Sequence, residues 1–250
     1  YTHTYCVLLS MFGLSPLYNN VLATLLTALY VQFGVSTCEI LVKKKSISKD
    51  VSRKIVHMFA GSWIIFWPYF DLGHWTWRLN VLVPGVYSLQ LLVKGLIVQD
   101  PNDKDVMTMT RTGDPKELLR GPFMFTLVML YSGLVCMNSE YGIICMCIVG
   151  FGDGTAPIAG KYLGNKSSVQ FKNLFGCTKS VPGSFSCFFA SFAGCLLFYF
   201  IGQLETLDVQ KVFLASFFGT VVEALSPAEI DNILIPTVVY CYLYFFSSSV

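Results

Sequence analysis

Charged residues are scarce in this sequence, and they are unevenly spread. Only 13% of the 250 residues are charged, whereas a soluble globular domain usually carries about 25%. This scarcity argues against an ordinary soluble domain. The hydrophobic residues make up 54% of the chain and gather in long runs, which indicates lipid as the solvent. The net charge of +2 gives no sign of a nucleic-acid partner.

Several familiar motifs are also missing. The nine cysteines contain no CxxC pair and no zinc-type Cys/His spacing, so we interpret them as reduced, small apolar residues. A Walker A loop is absent, and so is a Rossmann fingerprint, because no strand–helix unit surrounds the glycine-rich segment. There is no internal repeat. The chain begins at Tyr1 rather than at Met, so we expect a fragment or a processed form.

The hydrophobic runs predict an all-α, polytopic membrane protein with seven or eight transmembrane helices in a single domain over residues 1–250. A spanning helix needs about 20 mostly apolar residues. The runs cover residues 19–42, 55–70, 79–98, 121–137, 183–202, 211–225 and 233–246, with shorter stretches at 5–17 and 141–151.

The basic residues test this topology. When the loops are placed alternately on two sides, the loops 43–54, 99–120, 152–182 and 224–232 share one side, and 14 of the 17 Lys and Arg residues fall there. The positive-inside rule assigns that side to the cytoplasm or its organellar equivalent. The 14 are Lys43, Lys44, Lys45, Lys49, Arg53, Lys54, Lys104, Arg111, Lys116, Arg120, Lys161, Lys166, Lys172 and Lys179.

Polar motifs of possible chemical importance fall on this same side. The first is Arg53, Lys54 and His57 at the start of a span. Arg53 and Lys54 suit positive-inside anchoring as well as they suit a site. His57 lies one turn inside an apolar helix, where an ionisable side chain is costly and usually has a partner. We therefore favour a functional role for His57.

Two further polar segments are ambiguous by themselves. Residues 111–122 carry mixed charges, and composition alone favours an ordinary solvated loop, in which Asp114 caps a short helix that begins at Pro115. Residues 223–232 place three acids, Glu223, Glu229 and Asp231, around the end of one span and the start of the next. Asp231 or Asn232 suits a helix cap, but Glu223 lies inside the span end, which favours function.

The glycine-rich segment at residues 150–161 gives the strongest signal. Glycines allow backbone N–H groups to approach phosphate oxygens, and Asp153 between Gly152 and Gly154 suits a magnesium ion or a proton acceptor. Glycine at these positions equally suits tight helix packing. Together, the basic, acidic and glycine-rich groups on one face make up the inventory that phosphoryl transfer needs.

These motifs, in this order, resemble the phytol kinase and farnesol kinase family, which is more distantly related to dolichol kinase. The resemblance covers about residues 53–236. It rests on Arg53 to His57 with the later Trp67-Pro68, the segment 111–122, the run Gly152-Asp153-Gly154, Lys179-Ser180 with Gly183-Ser184, and Glu223 followed by Asp231-Asn232.

The resemblance implies a multi-pass enzyme that transfers the γ-phosphate of CTP, with Mg²⁺, to a prenyl alcohol such as phytol, geranylgeraniol or farnesol. It implies a place in the plastid envelope or the endoplasmic reticulum, and a link to tocopherol synthesis. On this hypothesis the catalytic residues are Asp153, Lys179, His57 and Glu223. The CTP phosphates would contact Gly152, Gly154, Lys161, Ser180, Arg53 and Arg111, and Asp153, Asp114 and Asp231 would hold the metal.

The sequence departs from the family pattern at three points. The family loop commonly reads Gly-Asp-Gly-x-Ala-Asp-x-x-Gly-Arg, whereas Pro157 replaces the second Asp here and Lys161 replaces the Arg. Lysine keeps the positive charge of arginine but lacks the planar guanidinium, which can donate two parallel hydrogen bonds to one phosphate group. After Lys179-Ser180 the sequence continues with Val181-Pro182, where the family usually has Trp or Leu and then Ala.

Two other function classes stay open. A related CTP-using enzyme, either a dolichol or diacylglycerol kinase or a CDP-lipid synthase, would share the bilayer and the nucleotide. A transporter would bury charges at mid-membrane depth and often shows a duplicated half. The sequence shows no duplication, and nearly all its charges lie at span ends.

Overall fold

Helices account for nearly all regular structure in the computed structural model, which describes residues 14–164, 170–227 and 230–246. The predicted stretch at 5–13, Lys166 and Glu229 lie outside these ranges. The helical fraction is 77%, as expected for an all-α protein. The described α-helices are α1 (Pro16–Lys43), α2 (Lys49–Gly61), α3 (Leu82–Val93), α4 (Lys104–Met109), α5 (Gly121–Val135), α6 (Glu140–Cys147), α7 (Asp153–Tyr162), α8 (Val181–Phe200), α9 (Val209–Leu225) and α10 (Asp231–Phe246).

Short 3-10 and π segments extend several of these helices. The 3-10 turns are Ser62–Tyr69 after α2, Trp75–Val81 before α3 and Pro115–Leu119 before α5. The π segments are Lys94–Val98 after α3 and Ile148–Gly152, which joins α6 to α7. The predicted polar loop 99–120 therefore contains α4 and a 3-10 turn.

Five helical segments of the described ranges are long and apolar enough to cross a membrane, so the predicted count of seven or eight is not confirmed. They are Pro16–Lys43, Trp75–Val98, Pro115–Val135, Glu140–Tyr162 and Val181–Phe200. The other predicted spans are also helical, but α9 has 17 residues and α10 has 16. The span predicted at 55–70 is divided between α2 and the 3-10 turn that follows it.

The predicted start of the loop 152–182 is wrong, because residues 152–162 continue a helix. Glu140–Tyr162 forms one helical segment through the π turn. Of the residues in its apolar stretch, 72% are buried, compared with 44% in the next most buried of the five segments. Glycine at positions 152 and 154 leaves room for other helices to approach the backbone closely. A Cβ at Gly152 would lie 2.2 Å from Ser191 Oγ, and one at Gly154 would lie 2.4 Å from Met58 Cγ.

The central helical segment Glu140–Tyr162 forms the middle of the main hydrophobic core. Residues 143–149 are fully or almost fully buried, and α8, α9 and α10 pack around them. A second core cluster lies between α1, α2, α3 and α4. The eight cysteines in the described ranges are free, as predicted.

One small sheet interrupts the helical architecture. Strands β1 (Gln170–Lys172) and β2 (Thr178–Ser180) pair antiparallel, with Phe171 opposite Lys179. The hairpin was not predicted. Ser180 ends β2 and caps α8, since its side chain accepts a hydrogen bond from Gly183 N at 3.2 Å. The hairpin thereby fixes where Lys179 enters the site.

Candidate active site

A polar cavity of about 450 Å³ opens where α7, the hairpin, α9 and the start of α10 meet. Four basic side chains line it, and two carboxylates accompany them. These residues are Lys54, Arg111, Lys161, Lys179, Glu223 and Asp231. The surplus of positive charge, with carboxylates beside it, suits a polyphosphate and a divalent cation.

Lys179 projects from β2 to the carboxylate of Glu223, and the Nζ–Oε1 distance is 2.6 Å. Both side chains are largely buried. Burial lowers the pKa of the Lys179 ammonium, but the charge of Glu223, the hydrogen bond that Lys179 donates to it and the charges of Asp231 and Asp153 together raise it by more, so the net pKa lies above its usual value. Lys179 is therefore a permanently charged group on the cavity wall.

Lys54 reaches the cavity from α2 and pairs with Asp153 on α7. Its Nζ atom lies 2.6 Å from Asp153 Oδ2, and the Asp153 carboxylate has no solvent exposure. The Nε2 atom of His57 lies 3.4 Å from the same oxygen and 3.0 Å from the carbonyl oxygen of Val149. A carbonyl oxygen only accepts hydrogen bonds, so Nε2 carries the hydrogen in the neutral ring.

A second, apolar cavity lies on the other side of Lys54, between α1, α2, α3 and α5. Its volume is about 60 Å³. Apolar side chains form most of its wall, including Val31, Val35, Leu91, Phe125 and Met129. Its polar lining comes mainly from Arg53, Lys54, His57 and Asn232. Lys54 therefore contacts both cavities, with cations and carboxylates on one side and hydrocarbon on the other.

Comparison with curated proteins finds relatives that are named phytol kinases. The chain is 33% identical to a probable phytol kinase, chloroplastic, of Zea mays, over 83% of the chain and 71% of that protein. It is 33% identical to phytol kinase 1, chloroplastic, of Arabidopsis thaliana, over 84% of the chain and 72% of that protein. The chain belongs to the phytol kinase family.

A probable phytol kinase 1, chloroplastic, of Oryza sativa subsp. japonica is also similar, at 34% identity over 91% of the chain and 74% of that protein. No family model matches the chain, and no solved structure matches it. The resemblance to phytol kinases found in the motifs is thus confirmed by similarity over most of the chain.

Most of the site residues predicted for this phytol kinase family member lie around the two cavities. Those on the polar cavity are Arg111, Lys161, Lys179, Ser180, Glu223 and Asp231. Arg53 and His57 line the apolar cavity. Asp153 lies behind Lys54 as its buried partner. The predicted roles of these residues stay predictions.

Besides Asp153, three predicted residues of the phytol kinase motif lie away from both cavity walls. Gly152 and Gly154 are buried against α8 and α2, respectively. Asp114 is exposed, and its carboxylate accepts a hydrogen bond from Lys116 N at 2.9 Å, which caps the 3-10 turn Pro115–Leu119. The capping interpretation of Asp114 is therefore confirmed. Its role as a metal ligand stays a prediction.

Two residues that the phytol kinase resemblance gave no role line the cavities. Lys54 was read as a membrane anchor together with Arg53, yet only 5% of its side chain is exposed. Asn232 was read as a helix cap, yet it lines the apolar cavity and is 3% exposed. The sequence feature that could have indicated a role for Lys54 is its place on the same apolar helix as His57, because ionisable residues within such helices usually have a partner.

Magnesium can be tested against the carboxylates of this phytol kinase family member. Among the described residues, no group of three or more His, Cys, Asp and Glu side chains could hold a metal ion by itself. Mg²⁺, however, is usually bound through one or two carboxylates together with substrate phosphates. Asp231 and Glu223 line the polar cavity and supply that number. The donor set therefore fits a magnesium–nucleotide complex.

Proposed function

We propose that this protein transfers the γ-phosphate of CTP to a prenyl alcohol, with phytol as the first candidate and geranylgeraniol or farnesol next. The observation that supports this proposal is the position of Lys54 between a basic, polar cavity and an apolar one. A nucleotide requires the first environment, and a prenyl alcohol requires the second. The names of the phytol kinase relatives support the acceptor.

The donor phosphates would lie in the polar cavity. Lys179, Lys161 and Arg111 line it and would neutralise the charge of the phosphate oxygens, as phosphoryl transfer requires. Lys161 Nζ lies 2.8 Å from Ser48 Oγ, so its position is tied to the start of α2. Asp231 and Glu223 would hold Mg²⁺, which supplies further charge neutralisation when it is bound.

The acceptor hydroxyl would enter from the apolar side, next to Lys54 and His57. Its oxygen forms a bond to the γ-phosphorus while the bond from that phosphorus to the β–γ bridging oxygen breaks. The bonding pair leaves with CDP, and the products are the alkyl monophosphate and CDP. Lys54 stabilises the charge that develops on the transferred group.

The hydroxyl proton would pass to His57. The Nε2–H group of its ring is directed to Val149 O and Asp153, so Nδ1 holds the free lone pair of the neutral ring. The ring lies on the wall of the apolar cavity and packs against Phe125, with ring centroids 3.8 Å apart and the ring planes tilted by 30°. This arrangement fixes the orientation of the imidazole and makes Nδ1 the proton acceptor.

We place the enzyme in a plastid membrane. The relatives are named as chloroplastic proteins, and five helical segments of the described ranges could cross a bilayer. The polar cavity lies at the ends of helices, on the side predicted to carry most basic residues. Transfer would therefore occur at the membrane surface. Nothing observed supports the endoplasmic reticulum.

The test uses the full chain in lipid nanodiscs with Mg²⁺, labelled CTP or ATP, and phytol, geranylgeraniol, farnesol, dolichol or diacylglycerol. We expect phosphorylated prenyl alcohol and CDP in equal amounts. Formation of a CDP-lipid with pyrophosphate would instead indicate a nucleotidyltransferase. Failure to phosphorylate every alcohol with either nucleotide would overturn the proposal.

A further inference from the structure

We propose that Asn232 and Arg53 form the subsite that holds the acceptor hydroxyl before the nucleotide binds, with Asn232 Oδ1 accepting its hydrogen bond and Arg53 Nε donating one. For the transfer step the O–H bond rotates, so that the single hydroxyl proton turns from Asn232 Oδ1 to His57 Nδ1. This inference rests on the proposed function, because it places the alcohol group of that substrate. It gives Asn232 a role in binding beyond helix capping, and it assigns Arg53 to the alcohol rather than to the phosphates.

Asn232 has one satisfied and one unsatisfied end. Its Nδ2 group donates to the carbonyl oxygen of Gly121 at 3.1 Å. Because a carbonyl oxygen can only accept, this contact fixes which end of the amide is nitrogen. The Oδ1 atom is buried and accepts no hydrogen bond from the described residues. A buried acceptor without a donor costs free energy, so a ligand that donates to it is favoured.

Arg53 offers the complementary group at the same place. Its Nε–H group is buried and donates to no acceptor within the described ranges. A Cβ atom built on Gly121 would lie 3.4 Å from both Arg53 Nη1 and Asn232 Nδ2. The guanidinium and the amide therefore meet over the same glycine. Both residues line the same cavity, and a buried free donor with a buried free acceptor on one cavity wall matches a hydroxyl, which can serve as both.

The surroundings restrict the ligand to an alcohol with a hydrocarbon body. Val35, Leu91 and Phe125 form the cavity wall beyond the polar pair, and an apolar wall does not compensate for a desolvated charge. The cavity volume of about 60 Å³ suits the hydroxyl end of the substrate rather than a whole prenyl chain. We infer that the rest of the chain extends between the helices towards lipid.

The position of Asn232 also explains how an alcohol held there could meet the nucleotide. Asp231 precedes it at the start of α10 and lines the polar cavity, whereas Asn232 lines the apolar one. The two neighbouring residues thus lie on opposite sides of the boundary that Lys54 also crosses. A hydroxyl at Asn232 would lie at the junction of the two cavities.

The experiment measures binding without nucleotide, so that its result does not depend on kinase activity. The full chain in nanodiscs is titrated with geranylgeraniol and with the hydrocarbon of the same carbon skeleton that lacks the hydroxyl. We expect the wild type to bind the alcohol about tenfold more tightly, which corresponds to one or two hydrogen bonds in a buried site. Asn232→Leu should abolish this preference, and Arg53→Lys should reduce it.

The matched control is Asn80→Leu. Asn80 is also buried, donates through Nδ2 to the carbonyl oxygen of Gly133 at 3.1 Å, and has an unsatisfied Oδ1, but it lines neither cavity. Asn80→Leu should keep the preference for the alcohol. If Asn232→Leu does not fold, Arg53→Lys carries the test.

Equal binding of alcohol and hydrocarbon by the wild type would overturn the subsite, and so would a preference that survives in both Asn232→Leu and Arg53→Lys. Either result leaves the proposed function to its own assay, in which phosphorylation of an alcohol by the wild type is scored separately.

Discussion

The ammonium group of Lys54 lies 2.6 Å from the Asp153 carboxylate, although 99 positions separate the two residues in the chain. The pair joins α2 to α7 in a place from which water is nearly excluded. Removal of one partner from a buried ion pair leaves an uncompensated charge and typically costs about 3–5 kcal/mol. The pair is therefore both a structural link and the support of a cavity residue.

Lys54→Met should lower the free energy of unfolding by about 3–5 kcal/mol, because it strands the Asp153 carboxylate. The double variant Lys54→Met with Asp153→Asn should recover part of that loss, since no charge is then left unpaired. Thermal unfolding in detergent measures both effects. A double variant less stable than either single variant would contradict the buried pair. Neither variant should retain kinase activity, because both lack the Lys54 charge.

Lys179→Gln should raise the KM for the nucleotide about tenfold or more, because a charged hydrogen bond to phosphate is lost. Lys172→Gln is the matched control, since Lys172 lies on the other strand of the hairpin, is exposed and does not line the cavity. Steady-state kinetics with varied CTP distinguish the two. Equal effects at both positions would point to a general loss of positive charge.

Asp231→Asn should raise the concentration of Mg²⁺ needed for half-maximal activity about tenfold or more, because a carboxylate ligand becomes an amide. Asp114→Asn should leave that concentration unchanged, since asparagine caps a helix as well as aspartate does and Asp114 lies outside the polar cavity. Activity is followed during a magnesium titration. A shift with Asp114→Asn would restore Asp114 as a metal ligand.

His57→Gln should lower kcat by about 10²–10⁴-fold, the usual contribution of a positioned general base. The control is His74→Gln, because His74 caps the 3-10 turn at Trp75–Val81 and lines neither cavity. Rapid-quench measurement of the transfer step isolates the chemistry from product release. A normal transfer rate in His57→Gln would exclude the imidazole as the proton acceptor.

Gly61→Ala should destabilise the fold by about 1–3 kcal/mol, because the new methyl group would lie 2.7 Å from the Cα atom of Gly150 and backbone cannot move aside easily. Gly85→Ala is the opposite case. There the methyl group would meet Leu130 at an ordinary 3.7 Å, and alanine is favoured over glycine in a helix by up to about 1 kcal/mol. Thermal unfolding of both variants should give shifts of opposite sign.

The helical architecture could largely be predicted from sequence, because the apolar runs that indicate a span also form the helices. Residues 183–202 were predicted and Val181–Phe200 is helical. The main error was the break at Gly152. Glycine and aspartate together usually mark a turn, but here the missing side chain admits Ser191 of a neighbouring helix. Such packing depends on a partner that the local sequence does not contain.

The residues that form the candidate site could be predicted from the sequence better than their positions relative to one another. The motif residues Lys179, Glu223 and Asp231 do meet at one cavity. Lys54 and Asn232 were assigned to anchoring and capping, because those are the common roles of such residues at helix ends. What distinguishes them is burial and an adjacent cavity, and both depend on how distant helices pack.

The π turn at Ile148–Gly152 has a consequence for the rotational phase of the helix that follows. An α-helix turns by about 100° per residue, so one residue more or less in this turn would rotate Asp153 and all of α7 about the helix axis. Deletion of one residue between positions 148 and 152 would leave length and apolarity almost unchanged, yet it would direct the Asp153 carboxylate away from Lys54. The chemistry of this protein therefore depends on the number of residues within one turn, a property that a hydropathy profile does not detect.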